Sequence, residues 1–225
     1  MEKCCEYIEY FKVSGIWNEN TTSKAACNGH LECMKYAHEN GCPWHPYTTF
    51  NAAKNGQLEC MKYAHENSCP WNEYTTSNAA SNGHLECMKY AHENGCPWKR
   101  DTTLCAVMNG HLECMMFAHE NGCPWDEYTT SYAAYYGYLE CMKYAYENGC
   151  LWHINTTLYA VISCHLDCLK YAHENGCPLN EQTLSHLERY VDKIEIDDKW
   201  WREFLFDKDL SSCLKLQTIV EEKKE

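Results

Sequence analysis

An all-helical solenoid is the fold class this chain predicts, and three observations predict it. A Thr-Thr pair begins at Thr21, Thr48, Thr75, Thr102, Thr129 and Thr156, always 27 residues apart, with Thr183 one step further. Each interval holds two short runs with helical spacing of small and apolar residues, bounded by Gly and Pro. Neither run can bury its apolar face alone, so successive copies must stack.

The unit reads Y-T-T-x-x-A-A-x-N-G-H-L-E-C-M-K-Y-A-H-E-N-G-C-P-W, in six full copies. Helix A starts at the Thr pair, whose hydroxyls suit a helix cap, and runs through Ala52-Ala53 to Asn55, where Gly56 breaks it. Helix B starts near Leu58 and ends at Asn67, with Pro70 forbidding continuation. Cys60, Met61, Ala64 and His65 share one face, while Glu59, Lys62 and Glu66 point to water. The expected layout is an N-terminal capping half-repeat over 1–20, six repeats over 21–182, and a C-terminal helical cap with a charged tail over 183–225. "IDDKWWREFLFDKDL" has helical spacing within that last segment.

Composition narrows the function. The 225 residues carry a formal charge of −13, which disfavours nucleic acid and leaves room for a partner with a basic surface. Eight Trp and seventeen Tyr argue for a folded chain. No apolar run is long enough to cross a membrane, and the charged N-terminus lacks a signal-peptide core. The expected setting is therefore a reducing, cytoplasmic compartment, with the eighteen cysteines free. A monomer is expected.

Three columns recur. Cys33, Cys60, Cys87, Cys114, Cys141 and Cys168 open helix B; Cys42, Cys69, Cys96, Cys123, Cys150 and Cys177 follow it. Nine residues of helix span about 13 Å, too far for both thiols of one copy to share an ion. His38 with Cys42, and His65 with Cys69, are the pairs a structural zinc would use, but they supply two ligands of the four required. Tyr146 replaces the histidine in copy five. Small core packing is the preferred reading, with no metal or other cofactor. His38, His65, His92, His119 and His173 suit neutral rings at the seam, bonded to backbone; His30, His84, His111 and His165 suit turn backbone. Trp17, Trp44, Trp71, Trp98, Trp125 and Trp152 suit wedges between copies.

The stretch "AASNGHLECMKYAHENG", Ala79 to Gly95, resembles the end of helix A, the Gly-His turn and helix B of the ankyrin repeat. The resemblance covers about residues 17–180 and implies an ankyrin-like α-solenoid. A 27-residue unit is six short of the ankyrin 33, and the gap falls between Gly41 and Tyr47, so the β-hairpin is expected to be shortened or absent. "YTTSN" stands where Thr-Pro-Leu-His would open the unit. The short Cys-Pro-Trp units are similar to ankyrin-like arrays abundant in giant viruses of amoebae. The resemblance implies a non-enzymatic scaffold that grips a protein through helix A and the adjoining loop ends. Those positions vary between copies and turn apolar and aromatic late in the array: Leu104, Met108, Tyr132, Tyr135, Tyr136, Leu158 and Tyr159. No catalytic motif interrupts the period.

Overall fold

The computed structural model describes residues 18–191; the half-repeat around Trp17 and the segment from 192 on, with its expected helix, lie outside them. Thirteen helices and no strand occur among the described residues. The helix A series is α1 (Glu19–Cys27), α3 (Thr48–Lys54), α5 (Glu73–Ser81), α7 (Thr102–Val107), α9 (Thr129–Tyr136), α11 (Thr156–Ile162) and α13 (Glu181–Val191). The helix B series is α2 (Leu31–Glu39), α4 (Leu58–Glu66), α6 (Leu85–Glu93), α8 (Leu112–Glu120), α10 (Leu139–Glu147) and α12 (Leu166–Glu174). Each A packs on its own B, and each A packs on the next A. The result is a two-layer solenoid without hairpins.

Helix length is set by the turns. His84 N–H donates to the Ala79 carbonyl and Gly83 N–H to Ala80; Cys96 N–H likewise donates to Ala91 and Gly95 N–H to His92. These paired bonds close the helix end only if the residue after the cap is left-handed, which suits glycine. Gly83 (φ +73) and Gly95 (φ +84) supply it. Ser68 (φ +65) and Cys164 (φ +58) take the same conformation without being glycine, at a cost of about 1 kcal/mol each.

The Thr pair does not cap helix A. Thr48 and Thr49 lie inside α3, and its cap residue, Tyr47, makes no side-chain cap bond. Asn18 and Asn72 cap α1 and α5, with Thr21 and Thr75 answering from the first turn. The second Thr of each pair has another task. Its buried hydroxyl donates to the loop carbonyl 21 residues on: Thr22 to Pro43, Thr49 to Pro70, Thr76 to Pro97, Thr103 to Pro124, Thr130 to Leu151 and Thr157 to Pro178, at 2.8–3.2 Å. The start of helix A is thus tied to the chain leaving helix B of the same copy.

The core between the layers is narrow. Met34, Met61, Met88, Met115, Met142 and Leu169 are fully buried in one column, flanked by alanines of both helices. The 27-residue register continues into α13. Thr183 is buried, sits 3.2 Å from the Thr157 hydroxyl, and donates to the Asn180 side chain, which in turn donates to the Ile154 carbonyl.

Candidate functional site

The periodic His, Trp and Cys columns resolve into packing. His38 stacks on Trp44 of its own copy at 4.3 Å, and both meet Tyr63 of the next copy edge-on at 6.1 and 6.2 Å. The same trio recurs as His65, Trp71 and Tyr90; as His92, Trp98 and Phe117; and as His119, Trp125 and Tyr144. In copy five Tyr146 replaces the histidine and stacks on Trp152 at 4.3 Å. The imidazoles are half-buried against aromatic faces, which replaces the backbone hydrogen bond expected of them; His119 Nδ1 lies 3.3 Å from the Tyr144 hydroxyl.

The tryptophan also bridges copies through its nitrogen. The Trp44, Trp98, Trp125 and Trp152 indole N–H groups donate to the Asn67, Asn121, Asn148 and Asn175 carbonyls at 2.9–3.1 Å. Each of these asparagines ends helix B, and its side-chain amide closes the last turn, as Asn121 does on Phe117. The other histidine set makes no side-chain bond to the turn among the described residues. His84, His111 and His165 instead lie over Gly56, Gly83 and Gly137 of the preceding copy. A Cβ at Gly56 would come within 2.6 Å of His84 Nδ1, so this glycine is required for space as well as for φ.

The two cysteine columns differ. Cys60, Cys87, Cys114, Cys141 and Cys168 are buried within helix B, and no polar partner is recorded for their thiols. Burial pushes them up, Cys87 to about 11 and Cys168 to about 12. The loop cysteines follow the glycine that ends helix B, where a contact back onto the helix is favoured. The Cys42, Cys69, Cys96 and Cys123 thiols donate to the carbonyls of Asn18, His45, Asn72 and Lys99, 24 residues earlier. Burial raises Cys96 to about 11 against the opposing Thr76 N–H and Thr75 hydroxyl. Apart from Cys33, both columns are neutral thiols at neutral pH, poor as nucleophiles and as ligands. Among the described residues fourteen cysteines are free thiols, but Cys33 is disulfide-bonded, which corrects the expectation that all eighteen are free; no group of three or more His, Cys, Asp or Glu that could hold a metal occurs among these residues. His38 is engaged with Trp44 and Cys42 with Asn18; His65 and Cys69 are similarly engaged with Trp71 and His45.

One place breaks the period. On α9 and α11, Tyr132 lies 6.2 Å from Tyr136 and from Tyr159, while Tyr135 lies 5.0 Å from Tyr136 and 5.7 Å from Tyr159. Tyr138 extends the cluster at 6.1 Å from Tyr136; Tyr128 extends it at 6.3 Å from Tyr132, with His153 at 4.8 Å beyond. Tyr128, Tyr135 and Tyr136 are exposed and the others half-buried. Copy five puts tyrosine where other copies carry Asn or Ser (Tyr136), His or Gln (Tyr138), and Cys, Lys, Ser, Met or Ile (Tyr135).

Four of the expected contact residues, Tyr132, Tyr135, Tyr136 and Tyr159, therefore meet in one cluster. Leu104 and Met108 are half-buried on and just after α7, which packs against α9. Leu158 is a correction. It is 8% exposed, one step from the buried Thr157, as the serines of its column (Ser23, Ser77, Ser131) are buried, while Phe50 and Leu104 in the same column are half-buried. Tyr128, Tyr138 and His153 were missing from the sequence-derived set. Tyr138 was detectable as a departure at a supposed turn position; Tyr128 carries no such signal, because Tyr47 and Tyr74 stand at the same place.

No protein-family model and no curated protein matches this chain. Among solved structures it is similar to the ankyrin repeat domain of human ASB11, at TM-score 0.63 and 19% identity, over 72% of this chain and 89% of that one. The fold is an ankyrin-like α-solenoid. At that identity the likeness speaks for the fold alone. No helix among the described residues is long and apolar enough to cross a membrane.

Proposed function

We propose that this chain is a non-enzymatic scaffold that binds another protein through helix A and loop-end side chains centred on Tyr132, Tyr135, Tyr136 and Tyr159. The observation that carries this reading is the tyrosine cluster itself, which joins tyrosines of two adjacent copies, whereas among the described residues the exposed Tyr47 and Tyr74 of earlier copies have no tyrosine beside them. Rigid aromatics lose little entropy on contact and dominate protein interfaces. A surface that repeats discriminates only between periodic partners, whereas one that varies fits one irregular partner. The helix B face repeats: Glu32–Lys35, Glu59–Lys62, Glu86–Lys89 and Glu140–Lys143 form the same short ion pair. The neutral, buried thiols support a packing role for the cysteines over structural zinc, and their number, set against the disulfide at Cys33, favours a reducing, cytoplasmic setting. The likeness of the short units to arrays of giant viruses of amoebae supports a host protein as partner, engaged by a monomer.

Selection of binders from a random peptide display library tests this. Binders should lose affinity by about 1 kcal/mol or more on Tyr132→Ala/Tyr135→Ala, with Tm nearly unchanged. Lys35→Glu/Lys89→Glu should produce only a small, salt-sensitive change. Decisive helix B charges with inert tyrosines would move the site to the opposite layer and refute the proposal.

A further inference from the structure

Charge is distributed unevenly along the array. Residues 18–100 hold eight acidic and seven basic side chains, a formal −1; residues 101–191 hold eleven acidic and three basic, a formal −8. Of the three cations of the second half, Lys143 and Lys170 stand on helices B and Arg189 near the end of α13. Lys143 is already paired with Glu140 and lies over the Tyr171 ring. Helices α7, α9 and α11 carry no charged residue at all. The tyrosine cluster is thus a neutral aromatic floor in the acidic half, on helices that themselves carry no cation.

Acidic groups stand along its loop edge. Asp126 accepts the N–H of Tyr128, the ring that leads into Tyr132, and Glu127 beside it is exposed. Exposed Glu181 opens α13, which packs on the helix carrying Tyr159. An open groove of about 510 Å³ is lined there by Glu181, Gln182, Ser185 and His186. Tyr132, Tyr159 and His186 occupy one column, 27 residues apart, so the floor runs on into this groove.

The rings meet one another mostly edge to face. Tyr159 is inclined 64° to Tyr132 and 73° to Tyr135, and Tyr135 is inclined 87° to Tyr136. Tyr132 is stacked on Tyr136 at 21°, so the solvent-facing sides of the exposed Tyr135 and Tyr136 and the half-buried Tyr159 are the faces on offer, and a guanidinium or ammonium on such a face gains most when carboxylates stand nearby. From α9 to α13 is two helix spacings, roughly 20 Å. About six residues of extended chain cover that distance.

Resting on the protein-binding reading above, we infer that the partner presents an extended basic segment, whose Arg or Lys side chains lie on the faces of Tyr135, Tyr136 and Tyr159 and run on toward Glu127 and Glu181.

The probe is a fluorescent nonapeptide with arginine at every third position and glycine and serine between, read by polarisation against the full chain. Matched peptides carry glutamine or glutamate in place of arginine. The arginine peptide should bind at least about tenfold tighter than the glutamine one, and the glutamate peptide should not bind. Tyr135→Ala/Tyr159→Ala should weaken the arginine peptide about tenfold. Tyr135→Phe/Tyr159→Phe should retain it, since the ring face remains. Glu127→Lys/Glu181→Lys should weaken it about fivefold, an effect that shrinks as salt rises from about 50 to 500 mM. Each variant's melting curve reports its folding. Equal binding of the arginine and glutamine peptides overturns the inference, as does binding indifferent to the tyrosines, or none at about 1 mM peptide and low salt. If binders from the random library map to the tyrosine cluster yet carry no basic residue, this inference falls and the scaffold reading stands. If none maps to helix A, both fall.

Discussion

Exchanging two cysteines of one copy for Ser and for Ala should give opposite orders of stability. Cys87 is 2% exposed inside α6, with no recorded polar partner. A serine hydroxyl there must be desolvated, at about 1–3 kcal/mol, with the lower end reached if it bonds back to its own helix. Alanine leaves only a small void, at about 1 kcal/mol. Ala should therefore be the milder change. Cys96 is as well buried, but its thiol donates to the Asn72 carbonyl at 3.2 Å. Serine keeps a donor at that place and should cost about 0.5 kcal/mol. Alanine removes the donor and leaves a void. The Asn72 carbonyl still holds the Thr75 N–H, so the loss is one bond, about 1 kcal/mol, added to the void. Here Ser should be the milder change. In a chain of this size 1 kcal/mol shifts Tm by about 2–4 °C, so calorimetry and urea midpoints resolve the crossing. The same order at both positions, or four variants melting together, would refute the assignment of one column to apolar packing and the other to hydrogen bonding.

Stability should also fall in alkali. Cys60, Cys69, Cys87, Cys96, Cys114, Cys141, Cys150 and Cys177 are pushed by burial from 9.0 to about 11, so between these values the unfolded chain has lost protons the native chain keeps. The contribution is complete below pH 9 and is lost toward pH 11, at up to about 1.4 kcal/mol per pH unit for each thiol. Lys35, Lys62 and Lys89, raised by their Glu partners, act in the same direction. A Tm unchanged from pH 8 to about pH 10 would contradict the burial of the thiols. Trp98→Phe, which loses the bond to Asn121, should cost about 1 kcal/mol more than Trp71→Phe, where no such bond is recorded. Equal unfolding midpoints would remove the indole bridge from the account. Chelation should leave far-UV circular dichroism unchanged, with less than about one zinc per chain after dialysis; about three ions released together with helicity would restore the metal reading.

Much of the fold was legible because repetition amplifies weak local signals. One Gly-Cys-Pro-Trp is ambiguous, but its return at a constant interval, with Ser68, Leu151 and Leu179 as single departures, marks a turn in every copy. The start of helix A was misread for a local reason. A Thr at a helix start ordinarily caps it, and only the folded chain brings the Pro124 carbonyl to the Thr103 hydroxyl. The turn histidines failed similarly, because their neighbours are glycines one copy away. In the site, variation between copies found Tyr132, Tyr135, Tyr136 and Tyr159, but sequence cannot say which variable position turns inward. Leu104 and Leu158 share one column, and the first is half-buried while the second is buried.

By itself the sequence determined the period, the two helices of each copy, their ends, and which columns are small enough to pack. These depend on residues within a few positions of one another, where φ preference and helical spacing decide. Tertiary structure alone decided what each column touches: His on Trp, Trp on the next copy's Asn, one cysteine against a carbonyl and the other against carbon. Apart from the His–Trp stack, which joins residues six apart, those partners lie more than 20 residues away along the chain, and only the folded array brings them within reach. It also gathered tyrosines from two copies into one acidic half of the array, because stacking superimposes positions 27 residues apart.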